Sequence, residues 1–189
     1  MFDAINLQGK TLSDLMGLFF CDIENDDDYY DVIAYNISKY FPECMESMLN
    51  NLSGQRLRGA ICGLGMAGIG LHRILAYVAS GDERVACAAI DALRRVGTED
   101  EWRVIFPLLK HESASVRSAA IRFARAVLGD RAKEFLSNAL TDPAPLVREN
   151  ALDELDGLVT NDLRPIITSL LQDESPSVRE AAQSLLDTL

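Results

Sequence analysis

The chain has 189 residues, 48% of them apolar, so it can bury a core, and one domain is the default expectation. Its 29 acidic and 18 basic residues give a formal net charge of -11. This charge argues against nucleic acid as a partner, because a phosphate backbone is itself anionic. It favours another protein with a basic surface.

The N-terminus and the least polar stretch both argue against a secreted or membrane protein. The first residues lack the basic segment and the long apolar core of a signal peptide. The run from Ala60 to Leu71 is too short to span a bilayer. We therefore predict a cytoplasmic protein that does not contact a membrane.

The first predicted helix covers residues 11–23, and an acidic run from Asp22 to Asp28 follows it. A calcium loop starting at Asp22 would need glycine in its sixth place and glutamate in its twelfth, where Asp27 and Ile33 stand. We interpret the run as a loop between helices. It is also the alternative partner-binding surface, made of Asp26, Asp27, Asp28, Tyr29 and Tyr30.

Further along the chain, residues 63–68 match the GxGxxG pattern of dinucleotide-binding sites. In such sites the glycines follow a strand. Here the preceding residues 56–62 are predicted to be helical, and the chain nowhere alternates strands with helices. We interpret Gly68 or Gly70 as a glycine that ends a helix.

One unit then recurs at a fixed interval. Val116, Val147 and Val178 lie 31 residues apart, and each is followed by an arginine. Small or apolar residues four and eight places after each valine, and also three places after Val116 and Val178, form one helical face. Such a period indicates stacked copies of a two-helix unit. We predict an all-α solenoid of about six antiparallel helix pairs in a single domain, residues 1–189, with clear repeats in 71–189 and divergent ones in 11–70.

Residues 170–182 read Leu-Leu-x-Asp-x-x-Pro-x-Val-Arg-x-x-Ala. This motif resembles the HEAT-repeat family in its short-period, phycobilin-lyase-like form. The resemblance implies that the second helices of the pairs line a concave surface that is free to bind a partner. It also leaves open a lyase-like role in handling a chromophore.

Charged residues recur at equivalent places in the last three repeats. We expect aspartates in the turns to meet arginines of the second helices in a stacked, structural ladder made of Arg117, Asp142, Arg148, Asp173 and Arg179. His111 takes the aspartate's place in an earlier turn, where we expect it to cap a helix. HEAT-like deoxyhypusine hydroxylases hold two irons with several His-Glu pairs, and this chain has one. We predict no metal, no cofactor and no catalytic residue.

The charges that differ between repeats are the better candidates for binding. Most of them lie six and nine places after Val116, Val147, Val178 or Val85, which stands 31 residues before Val116. Their sign changes along the chain: Asp91, Arg94, Arg122, Arg125, Glu149, Asp153, Asp156 and Asp187. We call this set the second-helix stripe. Residues 84–133 hold 10 basic and 6 acidic residues, whereas residues 134–189 hold 3 and 11.

These observations predict a non-enzymatic, protein-binding module that grips its partner on the concave face. An inhibitor or immunity-type protein that covers a basic partner fits the acidic composition. The alternatives are a scaffold or accessory subunit and the lyase-like role.

Overall fold

The computed structural model describes residues 7, 9–23 and 26–188, and these residues form helices and no strand. Their contacts divide them into a first unit that ends at Val96 and a second unit that begins at Gly97. Each unit contains three helix pairs. The predicted all-α class and the number of helix pairs are confirmed, whereas the single domain over residues 1–189 stays a prediction.

In both units, the first helix of each pair is shorter than the second, and the difference is smallest in the fifth pair, with 7 and 10 residues. The first unit comprises α1 (Leu12–Phe19), α2 (Asp27–Tyr40), α3 (Pro42–Met48), α4 (Gly54–Met66), α5 (Leu71–Leu75) and α6 (Glu83–Val96). The second comprises α7 (Trp102–Ile105), α8 (Ala114–Leu128), α9 (Lys133–Ala139), α10 (Pro145–Glu154), α11 (Arg164–Ser169) and α12 (Pro176–Asp187).

Local sequence signals explain where several of these helices begin and change. Ser113 caps α8, because its hydroxyl accepts a hydrogen bond from the backbone N–H of Val116 at 3.3 Å. Proline stands in the first turn of α10 and of α12, where its missing N–H costs no helical bond. Pro107 follows α7 in a 3-10 turn (Phe106–Lys110), which is the distortion expected of a proline in a helix.

The glycines of the GxGxxG pattern serve helix packing in the first unit. Gly63 and Gly65 are buried inside α4, which packs against both α2 and α6. A Cβ atom at Gly65 would lie 2.6 Å from the Cβ of Ala92, so only glycine lets α4 and α6 approach this closely. Gly68 and Gly70 follow the end of α4 with positive φ angles, as predicted for glycines that end a helix.

The repeated valines anchor the core of the second unit. Val116, Val147 and Val178 are each at most 1% exposed, which confirms the register taken from the repeat. Val147 and Val178 belong to one apolar cluster with Leu152 and Leu155 of the fifth pair. Residues of α8, α9 and α11 contribute to the same cluster, so one continuous core runs from α8 to α12.

The four cysteines are free thiols: Cys21, Cys44, Cys62 and Cys87. Cys21 lies in the exposed turn after α1, whereas the other three are partly buried. Burial raises the pKa of the Cys62 thiol to about 12, so this thiol stays protonated at neutral pH.

Candidate functional site

The structure brings the arginines and aspartates of the ladder together. Arg117 donates from Nε and Nη2 to the two carboxylate oxygens of Asp142, at 2.8 and 2.7 Å. Arg148 makes the same two bonds to Asp173, at 2.8 and 2.7 Å. Each Nη1 donates to the carbonyls of the arginine's own turn, for example from Arg117 to the oxygen of His111 at 2.8 Å. Each arginine therefore ties its own turn to the next one.

The turn residues complete this arrangement through their backbone. Asp142 accepts the N–H of Ala144 at 2.8 Å, and His111 Nδ1 accepts the N–H of Ser113 at 3.1 Å in the equivalent turn. The hydrogen bond from Arg148 holds the pKa of Asp173 below its usual range, despite its burial. Arg179 donates to the carbonyl of Asp173 at 2.7 Å. The recurring charges are thus used within the protein.

The second-helix stripe of the second unit presents different charges on successive helices. Arg122 and Arg125 of α8 are half-buried, and Arg125 lies 3.8 Å from Asp130. Asp153 of α10, Asp156 just beyond it and Asp187 of α12 are exposed. Within the described residues, Asp153 and Asp156 form no ion pair. They are therefore available to bind cations from outside the chain.

The charges at the C-terminal ends of the second helices also differ between α8 and the two helices that follow it. A helix carries partial negative charge at its C-terminus, which favours basic side chains there. α8 follows this rule with Arg125 in its last turn. α10 and α12 have no basic residue in the last turn, and α12 ends on Asp187. Two adjacent helices thus add carboxylates to an already negative end, and such breaks of a local rule mark candidate functional sites.

These two helix ends enclose a groove of about 220 Å³, which we call the acidic groove. Its lining combines an apolar floor, two carboxylates and two hydroxyls: Leu152, Asp153, Asp156, Ala181, Ser184, Leu185 and Thr188. Partial burial and the nearby carboxylate of Glu149 raise the pKa of Asp153. The ionised form of Asp153 is therefore destabilised in the free protein, and a bound cation would relieve that cost.

The stripe residues of the first unit lie on α6. Asp91 and Arg94 approach each other at 3.5 Å, one helical turn apart. Because opposite charges at this spacing offset one another, this part of the stripe presents little net charge.

The alternative surface at the acidic run needs a correction. Tyr29 and Tyr30 are only 8% and 2% exposed, and their hydroxyls donate to the carbonyls of Leu18 and Cys21 at 3.0 Å. The two rings belong to the core of the first unit because the face of α2 on which they stand packs against α1 and α4. The sequence-based prediction that these two tyrosines contact a partner is therefore wrong.

The aspartates of this run also have structural roles. Asp26 caps α2 by accepting the N–H of Tyr29 at 2.9 Å. Asp27 pairs with Arg84 and lies 3.3 Å from Nε of Arg58. Only Asp28 remains as an exposed charge on the first turn. The run is thus mostly engaged within the first unit.

Sequence reasoning missed a cluster of ion pairs at this place. Arg58 binds both carboxylate oxygens of Asp31, at 2.6 and 3.3 Å. Arg56 donates to the carbonyls of Phe19 and Phe20, at 3.3 and 3.2 Å, and pairs with Asp22. Arg58 follows Leu57 as the later arginines follow their valines. Its partner Asp31, however, stands on α2, the second helix of the preceding pair, instead of in the following turn.

A second feature that the sequence did not indicate is a group of three aromatic rings in the second unit. Trp102 lies 5.0 Å from Phe135 and 5.5 Å from Phe106, measured between ring centres. Phe106 is 47% exposed and borders a groove of about 400 Å³. The rings stand on first helices and their turns, which the valine-based template does not cover.

Neither a metal-binding group nor a membrane-spanning helix occurs among the described residues. No three histidine, cysteine, aspartate or glutamate side chains among them come together as a metal-binding group. None of the helices in the described part of the chain is long and apolar enough to cross a membrane.

Comparison with known families agrees with the repeat geometry. Residues 71–155 match a family model described as HEAT repeats, and residues 163–189 match a model of the HEAT repeat. The chain belongs to the HEAT-repeat family. The short-period branch of HEAT repeats stays a prediction. Among curated proteins, none matches this chain.

Several solved structures share the fold of this HEAT-repeat protein. A designed armadillo repeat protein in complex with the peptide (KR)4 aligns with a TM-score of 0.53 and 13% identity, over 94% of this chain and 99% of that one. Two engineered proteins align with TM-scores of 0.52 and 0.54, each at 16% identity. They cover 92% and 94% of this chain, and 95% and 98% of their own. At such identities the likeness concerns the fold alone.

Proposed function

We propose that this HEAT-repeat chain is a non-enzymatic module that binds a protein with a basic surface through the second-helix stripe of its second unit. One observation carries the proposal. Asp153 and Asp156 are exposed and form no ion pair within the described residues, at a helix end where a basic side chain would be more stable. Natural proteins keep such locally unfavourable charges chiefly where they serve function.

The remaining stripe charges support the same role. Arg122 and Arg125 precede the acidic helix ends on the neighbouring helix, so the surface changes sign over a short distance. A partner with complementary segments would be held in one register, since like charges would meet in any other. The designed armadillo repeat protein that shares this fold is in complex with a basic peptide, (KR)4.

Within this proposal, an inhibitor or immunity-type protein that covers a basic partner fits best. The net charge of -11 accelerates association with a basic protein by electrostatic steering. A scaffold or accessory subunit would bind in the same way without blocking its partner's activity. Adding the purified chain to the purified partner in equal amounts separates the two roles.

The test is affinity capture from the source organism with matched variants as bait. We expect the wild-type chain to retain a basic protein, identified by mass spectrometry. Asp153→Lys with Asp156→Lys, and separately Arg122→Glu with Arg125→Glu, should release it. Both effects should shrink as salt rises, because exposed charges are screened over about 10 Å at 0.1 M ionic strength.

Glu134→Lys on the first helix α9 is the matched control, because it changes an exposed charge of the same unit outside the stripe. It should leave capture unchanged. If capture survives both stripe reversals and is lost when Asp26, Asp27 and Asp28 are neutralised, the acidic run is the binding surface and the proposal is wrong. A purified chain that carries the absorbance of a bound tetrapyrrole would indicate the lyase-like role instead.

A further inference from the structure

We propose that the acidic groove receives one lysine side chain of the bound protein, with the aliphatic stem on the apolar floor and the ammonium group between Asp153 and Asp156. This inference rests on the proposed function, because it names the side chain of the partner that enters the surface.

The floor of the groove suits the stem of a long basic side chain. Ala181 of α12 is half-buried and Leu185 is 5% exposed, so these two residues supply the accessible apolar surface of the groove. Leu152 of α10 is 0% exposed and only backs this surface. A lysine stem has four methylene groups, which can cover apolar surface while the charged end stays near water. The small side chains of Ala181 and Ser184 leave the room for that stem. An acidic patch without such a floor would attract any cation but would not select a side chain.

The rim of the groove suits the charged end. Asp153 and Asp156 are one helical turn apart and supply carboxylates from the same wall, while Ser184 and Thr188 supply hydroxyl oxygens from the other. An ammonium group has three donors on a compact charge and can share them among such separate acceptors. The C-terminal ends of α10 and α12 add negative potential at the same place.

The same geometry favours lysine over arginine. A guanidinium binds best as a planar fork on both oxygens of one carboxylate, as Arg117 and Arg148 do in the ladder. The acidic groove instead offers acceptors from several separate residues, two carboxylates and two hydroxyls, which suit a compact charge that shares its donors among them. We therefore expect the groove to prefer the ammonium group.

The test uses the full chain and three peptides with blocked ends. The first alternates lysine with serine, the second alternates arginine with serine, and the third is the first with every lysine acetylated. Dissociation constants are measured by calorimetry at low and at high salt. The lysine peptide should bind most tightly, the arginine peptide more weakly, and the acetylated peptide should not bind, because acetylation removes the charge.

Two variants and one control test whether the groove is the site. The double variant Asp153→Asn, Asp156→Asn should bind the lysine peptide about tenfold more weakly, which is the effect expected from losing two exposed or partly buried ion pairs. Ser184→Leu should weaken it about as much without changing the charge, because leucine fills the groove. Glu134→Gln with Asp100→Asn removes two exposed carboxylates elsewhere in the second unit and should change binding less than about twofold at moderate salt. Circular dichroism must show that each variant is folded.

Three results would overturn the inference. Equal loss of peptide binding in the control pair and the groove pair would mean attraction by overall charge alone. Unchanged binding to the Ser184→Leu variant would place the peptide outside the groove. Equal affinity for the arginine and lysine peptides would remove the selectivity.

This test is separable from that of the proposed function. If the captured protein depends on Asp153 and Asp156 but the peptides show none of the expected differences, the lysine site is wrong and the protein-binding role stands. If the peptides behave as expected but capture does not depend on the stripe, the groove binds lysine and the proposed protein-binding role of the stripe is wrong.

Discussion

Arg148 and Asp173 stand 25 positions apart in the chain and form a two-bond ion pair with side chains only 9% and 7% exposed. Nη1 of Arg148 also donates to the carbonyl of Asp142 at 2.8 Å. The pair therefore joins the turn before α10 to the turn before α12. A charge buried to this extent depends on its partner, and this dependence leads to the first prediction.

Arg148→Met should destabilise the second unit by about 3–5 kcal/mol, because it leaves the carboxylate of Asp173 buried without its partner. Arg148→Met combined with Asp173→Asn should recover part of this loss, since asparagine carries no charge and still offers an oxygen to the N–H of Ser175. Urea unfolding of the two variants measures the difference. Equal stabilities would contradict the ladder as a buried charge pair.

The stability of the protein should depend on Asp173 and Asp153 with opposite signs. The pKa of Asp173 is lowered in the folded state, so its stabilising effect is complete above its unfolded pKa of about 3.9 and is lost as pH falls through the folded value. The pKa of Asp153 is raised, so its ionised form destabilises the fold at neutral pH, and that cost disappears below about pH 3.9.

Asparagine substitutions test this contrast. At pH 7, Asp173→Asn should lower the urea midpoint and Asp153→Asn should raise it, and both differences should shrink toward pH 3, below the unfolded pKa of about 3.9. A lower midpoint for Asp153→Asn at neutral pH would mean that Asp153 stabilises the fold, and its assignment to a binding surface would lose this support.

Val147→Asp should unfold the C-terminal helix pairs, with a loss of more than about 4 kcal/mol, because it places an unpaired charge in the core of the second unit. The neighbouring Leu146 is 42% exposed and provides the control. Leu146→Asp should change stability by less than about 0.5 kcal/mol, as is usual for exposed positions. Thermal melts followed by circular dichroism distinguish the two. Similar melting temperatures would show that the register of the repeat is wrong.

Gly65→Ala should destabilise the first unit by about 1–3 kcal/mol, because the new methyl group would overlap Ala92 on α6. Gly17 stands inside α1 with no atom within 4 Å of an added Cβ, and Gly17→Ala should stabilise the protein by about 0.5–1 kcal/mol. Denaturant unfolding of both variants gives the comparison. A neutral Gly65→Ala would mean that the two helices can move apart at no cost.

The sequence by itself determined the features that repeat. The spacing of Val116, Val147 and Val178 predicted their burial, and the aspartates and arginines at the same interval predicted the ladder contacts that are present. Copies of one unit must bury one face and repeat one neighbouring contact, so each copy supports the same interpretation. A recurring pattern therefore predicts the packing of its residues from the sequence alone.

The tertiary structure alone decided what the residues outside the repeat do. Tyr29 and Tyr30 stand beside a charged run, yet they are buried because α1 and α4 cover that face of α2. The lining of the acidic groove includes Leu152 and Leu185, residues more than 30 positions apart that come together only when α10 and α12 pack. Spacing along a chain specifies which side of a helix a residue occupies, whereas the neighbour that covers this side depends on packing.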